Sequence, residues 1–207
     1  MRCILLLISS ILFGLVLLAT PAQANVDNFH IANYDIDYKL GRDEEDRSLL
    51  EVTETIVAEF PMYDQNRGIE RLIPKSYDGH PVSLDIVSVE NDNGESWEYA
   101  TRSSGEYRVV RIGDEDRYVQ GRQTYVIKYT QRDVTKLFAD TGAIDFYWDT
   151  NGTEWRVPIS QLNVSLTVEQ SLLDALTGEV ACYVGGQDSA DTCQLVGGSG
   201  AYETTAT

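Results

Sequence analysis

Carboxylates are the main chemical resource of this sequence, which holds 33 Asp and Glu against 16 Lys and Arg in 207 residues. Two runs, Asp43-Glu44-Glu45-Asp46 and Asp114-Glu115-Asp116, gather the oxygens that bind Ca2+ or that work in pairs on a glycosidic bond. Spacing specifies neither use. The stretch VENDNGESWE has Val89 where an EF-hand loop begins with Asp, and it lacks the closing Glu. With this many acids, clusters in solvated loops are the simpler reading. No cofactor or catalytic residue is assigned, and Ca2+ at these loops is the alternative reading. The two histidines, His30 and His80, read as solvated loop residues. HExxH is absent from the sequence, and so is GxSxG. The near match GGSGA at 197–201 lies in a Gly/Ser/Thr-rich stretch, without the strand and helix that strain a nucleophile elbow. Asn151-Gly-Thr153 and Asn163-Val-Ser165 match the glycosylation sequon, which matters only in a eukaryotic secretory route.

Three pairs of residues carry sharper expectations. In LEVTETI the inward series runs Leu50, Val52, Glu54, Ile56; in GIERLIP it runs Ile69, Arg71, Ile73. Each puts one charge where the pattern wants an apolar residue, and the signs are opposite. A buried carboxylate needs a partner, so Glu54 and Arg71 are expected to meet. They could fix strand register as a buried pair, hold a ligand, or point to solvent. Trp148 and Trp155 flank Asn151-Gly152 in DFYWDTNGTEWRVPI. Asn-Gly favours a type I′ hairpin, which would set the indoles opposite each other as an aromatic pair, worth roughly 0.2–1 kcal/mol. They would form either a core staple or an exposed platform of the kind that stacks on carbohydrate. Cys182 and Cys193, eleven positions apart, read as a disulfide in an oxidising compartment. Loop closure would make it worth about 3 kcal/mol.

Strands must position these residues. YDIDYKL alternates Tyr34, Ile36, Tyr38 and Leu40 with Asp35, Asp37 and Lys39, and LLEVTETIVAEF repeats the period of two. Further strand candidates are residues 82–90, 96–101, 106–112, 124–131, 143–150, 153–159 and 161–168, with weaker ones at 179–184 and 192–196. EQSLLDAL, residues 169–176, is the helix candidate. Many short strands punctuated by Gly, Asn and Asp predict an all-β fold, an antiparallel β-sandwich, Ig-like in outline, with at most one short helix.

The N-terminus has the layout of a signal peptide over residues 1–24. Arg2 precedes the apolar run 4–19, and Ala22-Gln23-Ala24 follows. Removing it leaves residues 25–207, with 15 basic and 33 acidic side chains, a formal charge of −18. That surface argues against nucleic acid and anionic lipid as partners. The domain is expected over 25–196, with 197–207 a linker or truncated tail.

VTET (52–55), RGIERLIP (67–74), IGD (112–114), GRQTYVIKYT (121–130) and FYWDTNGTEWRVPI (146–159) occur in this order. Together they resemble the DUF2207 family of predicted membrane proteins with an extracytoplasmic N-terminal domain. The resemblance covers about residues 31–196. It implies an outward-facing domain of a membrane-tethered protein, whose relatives continue into a transmembrane helix that this chain does not reach. It transfers no catalytic residue. The expected role is a sensory or interaction module without catalysis, meeting an unknown protein or surface ligand at the outer face of a membrane, or in the periplasm or medium. A hydrolase acting on cell-wall or surface glycans and a structural envelope component are the alternatives.

Overall fold

The computed structural model describes residues 26–77, 79–139, 142–185 and 189–207, so the expected signal peptide lies outside the described residues. The chain is mostly β. Its strands are β1 (His30–Arg42), β2 (Ser48–Phe60), β3 (Ile69–Pro74), β4 (Ser76–Tyr77), β5 (His80–Pro81), β6 (Ser83–Glu90), β7 (Tyr99–Ser104) and β8 (Tyr107–Ile112). These are followed by β9 (Gly121–Arg132), β10 (Lys136–Leu137), β11 (Ile144–Asp145), β12 (Leu162–Val168), β13 (Tyr183–Val184), β14 (Asp191–Thr192), β15 (Val196–Gly198) and β16 (Ala201–Ala206).

The large sheet runs β15-β16-β12-β1-β2-β9-β6, and a smaller one runs β3-β8-β7. The inner faces of both contribute to one core: Tyr34, Ile36, Leu50, Ile56 and Ile127 from the large sheet meet Ile69, Ile73, Val110 and Ile112 from the small one. The alternation of period two explains this. Along β1, Tyr34, Ile36, Tyr38 and Leu40 are buried, while Asp37 and Lys39 stand in solvent. The acidic run at 43–46 turns β1 into β2. The Asp43 carboxylate accepts hydrogen bonds from the backbone N–H groups of Glu45 and Arg47, a side-chain substitute for backbone turn bonds.

Two glycines of the motifs RGI and IGD explain each other. Gly68 and Gly113 flank the last β3–β8 pair, Ile69 with Ile112, at φ of 134° and 129°. A Cβ on Gly68 would lie 1.8 Å from the Ile112 carbonyl oxygen, and one on Gly113 would lie 1.9 Å from that of Arg67. The backbones approach so closely that only hydrogen fits.

The described strand pairs are antiparallel apart from β1 and β12, which run in parallel, the chain crossing over through residues 133–161 before re-entering the sheet beside its first strand. The helix candidate at 169–176 is one short 3-10 segment, Gln170–Ala175. Two expectations need correction. Residues 197–207, expected as a linker, contain β16, which pairs with β12 through six residue pairs. Its alternation is of small and polar residues, Ala201 to Ala206, which hides it from a reading based on bulky apolar side chains. The hairpin about Asn151-Gly152 does not form. Residues 146–158 carry no strand, and only Gly152 takes positive φ, 73°, whereas a type I′ turn needs it at both central positions.

Candidate functional site

Glu54 sits at the centre of the large sheet's inner face. Its direct neighbours are Ile36 on β1 and Ile127 on β9. One row to either side come Tyr34–Ile56–Tyr125 and Tyr38–Val52–Tyr129. Four tyrosines therefore frame the carboxylate diagonally, all of them buried. Arg71 reaches down from β3 on the facing sheet. Its Nε donates to Glu54 Oε2 and its Nη2 to Oε1, both at 2.8 Å, a bidentate fork. The Tyr129 hydroxyl donates to Oε1 at 2.7 Å. Both charged residues are buried, Glu54 at 0% exposure and Arg71 at 3%. Arg71 stays charged: burial works against its proton, but the facing Glu54 carboxylate outweighs it and holds the pKa well above the ordinary value. Burial pushes the hydroxyls of Tyr34, Tyr38, Tyr125 and Tyr129 above the usual tyrosine value, and Glu54 adds to the rise at Tyr34, Tyr38 and Tyr129.

Residues 146–157 lie over this pair as a strap, and the strap's aromatics explain the absent hairpin. Trp155 packs edge-on against Tyr34, at 5.9 Å between centroids, with the Arg71 guanidinium 5.8 Å from its ring. Trp148 instead stacks on Tyr77 at 5.0 Å and on Phe146 at 5.7 Å. Among the described residues no ring contact joins the two indoles. Each has a better partner on another element than it would have across a hairpin. Both are half-buried against the core. The Tyr38 hydroxyl donates to the Thr150 carbonyl at 3.0 Å, tying the strap's turn to β1.

Beside the strap lies a surface hollow of about 410 Å3, lined by Tyr77, Val134, Lys136, Phe138, Asp145 and Tyr147. β10 and β11 form one wall, with Lys136 directly opposite Asp145. Tyr77 and Tyr147 form the other, their rings 6.1 Å apart. Sequence reasoning missed this groove, because its lining comes from three separate stretches. The nearest signal was FYW at 146–148, in which Phe146 and Trp148 turn inward and Tyr147 outward.

The remaining candidates are spent locally. Cys182 and Cys193 form a disulfide, Cα–Cα 5.3 Å, clamping the pair β13–β14. The Asp43 carboxylate bonds Arg47 and also lies 3.3 Å from Arg132. Burial disfavours its charge, but the backbone and side-chain hydrogen bonds from Arg47 outweigh that and hold its pKa below the ordinary value. Asp114 accepts from the Asp116 backbone N–H. His80 is bonded to the Asp133 carbonyl, and His30 lies 3.6 Å from Glu59. Among the described residues no cluster of three His, Cys, Asp or Glu is arranged to hold a metal ion.

Fold and site together define an all-β domain whose two sheets are pinned by a buried arginine–carboxylate fork. The chain belongs to the DUF2207 family: the family described as predicted membrane protein (DUF2207) N-terminal domain matches residues 30–196. No curated protein matches it. Among solved structures it is similar to yeast LTA4 hydrolase in complex with bestatin, at 14% identity and TM-score 0.50, covering 88% of this chain and 27% of that one. Native leukotriene A4 hydrolase from Saccharomyces cerevisiae gives 12% identity and TM-score 0.49 over 88% of this chain and 27% of that one. The M1 zinc metallopeptidase from Deinococcus radiodurans gives 14% identity and TM-score 0.40 over 86% of this chain and 38% of that one. This chain thus spans well under half the length of these structures, and the likeness to the bestatin complex is one of fold. Among the described residues no helix is long and apolar enough to cross a membrane.

Proposed function

We propose that this domain is an interaction or sensory module without catalysis of its own, presented on the outer side of a membrane by a protein of the DUF2207 family. The observation that carries this reading is the groove beside the strap. Phe138 and Tyr147 expose apolar surface within it, and grouped exposed apolar residues mark interaction sites. The strap is tied to β1 by the Tyr38–Thr150 hydrogen bond and packs Trp155 against the Arg71 guanidinium. Glu54 is unsuited to hydrolysis, because both its oxygens are bonded and it has no access to solvent. The family's description as membrane proteins, the apolar N-terminal run with its Ala22-Gln23-Ala24 end, and the disulfide favour an exported location.

A photo-crosslinking amino acid placed at Tyr147 in the full-length chain, in cells, tests the groove. Val87 on β6 is the control, being as exposed as Tyr147 at 63%. A discrete adduct from position 147 and none from position 87 is the expected result. Equal labelling from both positions, or none from either, overturns the reading. Alkylation trapping in the same cells tests the compartment: Cys182 and Cys193 should resist modification until reductant is added, and free thiols would place the domain on the reducing side.

A further inference from the structure

We infer that the domain stands on a lipid bilayer with one end of its large sheet, the end where β1 begins, and that Met62 and Tyr63 enter the headgroup region there. This rests on the reading of the chain as the outer domain of a membrane protein, and it adds an orientation and a lipid contact. The register sets the geometry. β1 begins beside the end of β2, with His30 facing Glu59. β9 begins there too, with Gly121 facing Phe60. β16 runs antiparallel to β12 and closes at Ala206, level with Leu162 and Tyr34. Its last residues therefore head toward the start of β1, from which Tyr34 is four residues, or roughly 13 Å, away. The family is described as the N-terminal domain of a predicted membrane protein. Chain that follows the domain in such a protein leaves in this direction.

Apolar side chains stand in solvent at this same end. Met62 is 77% exposed, Val26 56% and Tyr63 54%. They belong to one surface. Asn66 Nδ2 donates to the Val26 carbonyl at 2.7 Å, and Asn28 Nδ2 to the Tyr63 hydroxyl at 2.9 Å. A Cβ on Gly121 would lie 3.4 Å from the Met62 sulfur, and Gln120 Nε2 donates to the Asp64 carboxylate at 2.7 Å. A methionine and a tyrosine on a tied-down loop make an apolar wedge with a polar tip, the chemistry that settles at headgroup level. The charges of these loops are mixed, Arg67, Arg117 and Arg122 against Asp27, Asp64 and Asp114-Glu115-Asp116. Attraction to anionic lipid is therefore not what holds the contact. The groove lies at the opposite end. Val134 follows the last residue of β9, and its backbone N–H donates to Ser48 Oγ at the start of β2. The twelve residues of β9 put roughly 36 Å between the two ends, which holds the groove clear of the headgroups and open to a partner.

A diazirine amino acid placed singly at positions 62, 63, 87 and 137 of the full-length chain in cells, with adducts identified by mass spectrometry, tests the orientation. Positions 62 and 63 should give at least about ten-fold more lipid adduct than 87 and 137, whose native Val87 and Leu137 are each 63% exposed but lie away from this end. Met62→Asp should cut the lipid adduct at position 63 several-fold and leave the melting temperature unchanged. Lipid adducts equal at all four positions, absent from 62 and 63, or stronger at 137 overturn the orientation. Protein adducts in place of lipid at 62 and 63 would make this end a protein interface and overturn it as well. A protein adduct from position 147 without lipid at 62 would keep the groove and remove the orientation, and lipid at 62 with nothing from 147 would do the reverse. Absence of the protein from the membrane fraction would remove the membrane reading itself, and the orientation with it.

Discussion

Glu54 and Arg71 are a pair whose separation is costly and whose joint replacement is mild. Two hydrogen bonds of 2.8 Å join them, and Tyr129 adds a third at Glu54. Removing one partner of a buried pair leaves a stranded charge or lost bonds, at about 3–5 kcal/mol. Arg71→Met should therefore destabilise more than Glu54→Gln, which keeps an acceptor and the shape. The double variant should lie well short of the sum of the singles in denaturant unfolding. Additive losses would mean that the two side chains act independently. The tyrosines make a second prediction. Burial raises the pKa of Tyr34, Tyr38, Tyr125 and Tyr129 in the folded state. Their contribution to stability is complete below the unfolded value near pH 10 and is lost as pH rises from there toward the folded value. Each contributes a slope of up to about 1.4 kcal/mol per pH unit. Melting temperature should fall steeply above pH 10, with part of the tyrosinate absorbance appearing only on unfolding. Smooth titration of all twelve tyrosines in a folded protein would contradict the burial.

The strand elements differ in how much they can be disturbed. The β3–β8 ladder ends where Gly68 and Gly113 pass with no room for a methyl group. Gly113→Ala should cost well over the ~1 kcal/mol of an unfavourable backbone conformation alone. Gly94→Ala, with open space around its Cβ position and φ of 79°, should cost about that backbone amount. Similar losses at both sites would mean that the close approach has little weight. The β13–β14 pair is exposed and held by Cys182–Cys193. Reduction should raise amide exchange chiefly in residues 179–185 and 189–196, and leave β1, β2 and β9 protected. Loss of protection throughout the large sheet would show that the staple supports the whole fold rather than one edge.

As a whole molecule, the protein is built on two main sheets with a charge pair at their contact and a strap across one opening. The strap links core and surface: Trp155 touches Arg71 inside, and Tyr147 lines the groove outside. β16 extends the large sheet beyond the parallel β1–β12 pair. Deleting residues 199–207 would leave the edge of β12 that faces away from β1 unpaired, and unpaired edges promote association. The shortened protein should sediment as oligomers at concentrations where the full chain is monodisperse. Unchanged sedimentation would assign β16 no covering role.

Alternation of apolar and polar side chains made β1, β2 and β9 legible, because a half-buried strand repeats every two residues whatever its partners. The same periodicity exposed Glu54 and Arg71 as charges at inward positions, since an inward charge interrupts the pattern in each strand separately. Cys182 and Cys193 were legible from their number and compartment. The tyrosine frame, the parallel β1–β12 pairing and the groove were not, because each joins residues more than thirty positions apart through strand order, which local periodicity does not encode. The Asn151-Gly152 hairpin shows the limit from the other side. Its turn residues favour pairing, but Tyr77, Tyr34 and Arg71 offer the two indoles better contacts, and those contacts exist only once the sheets have packed.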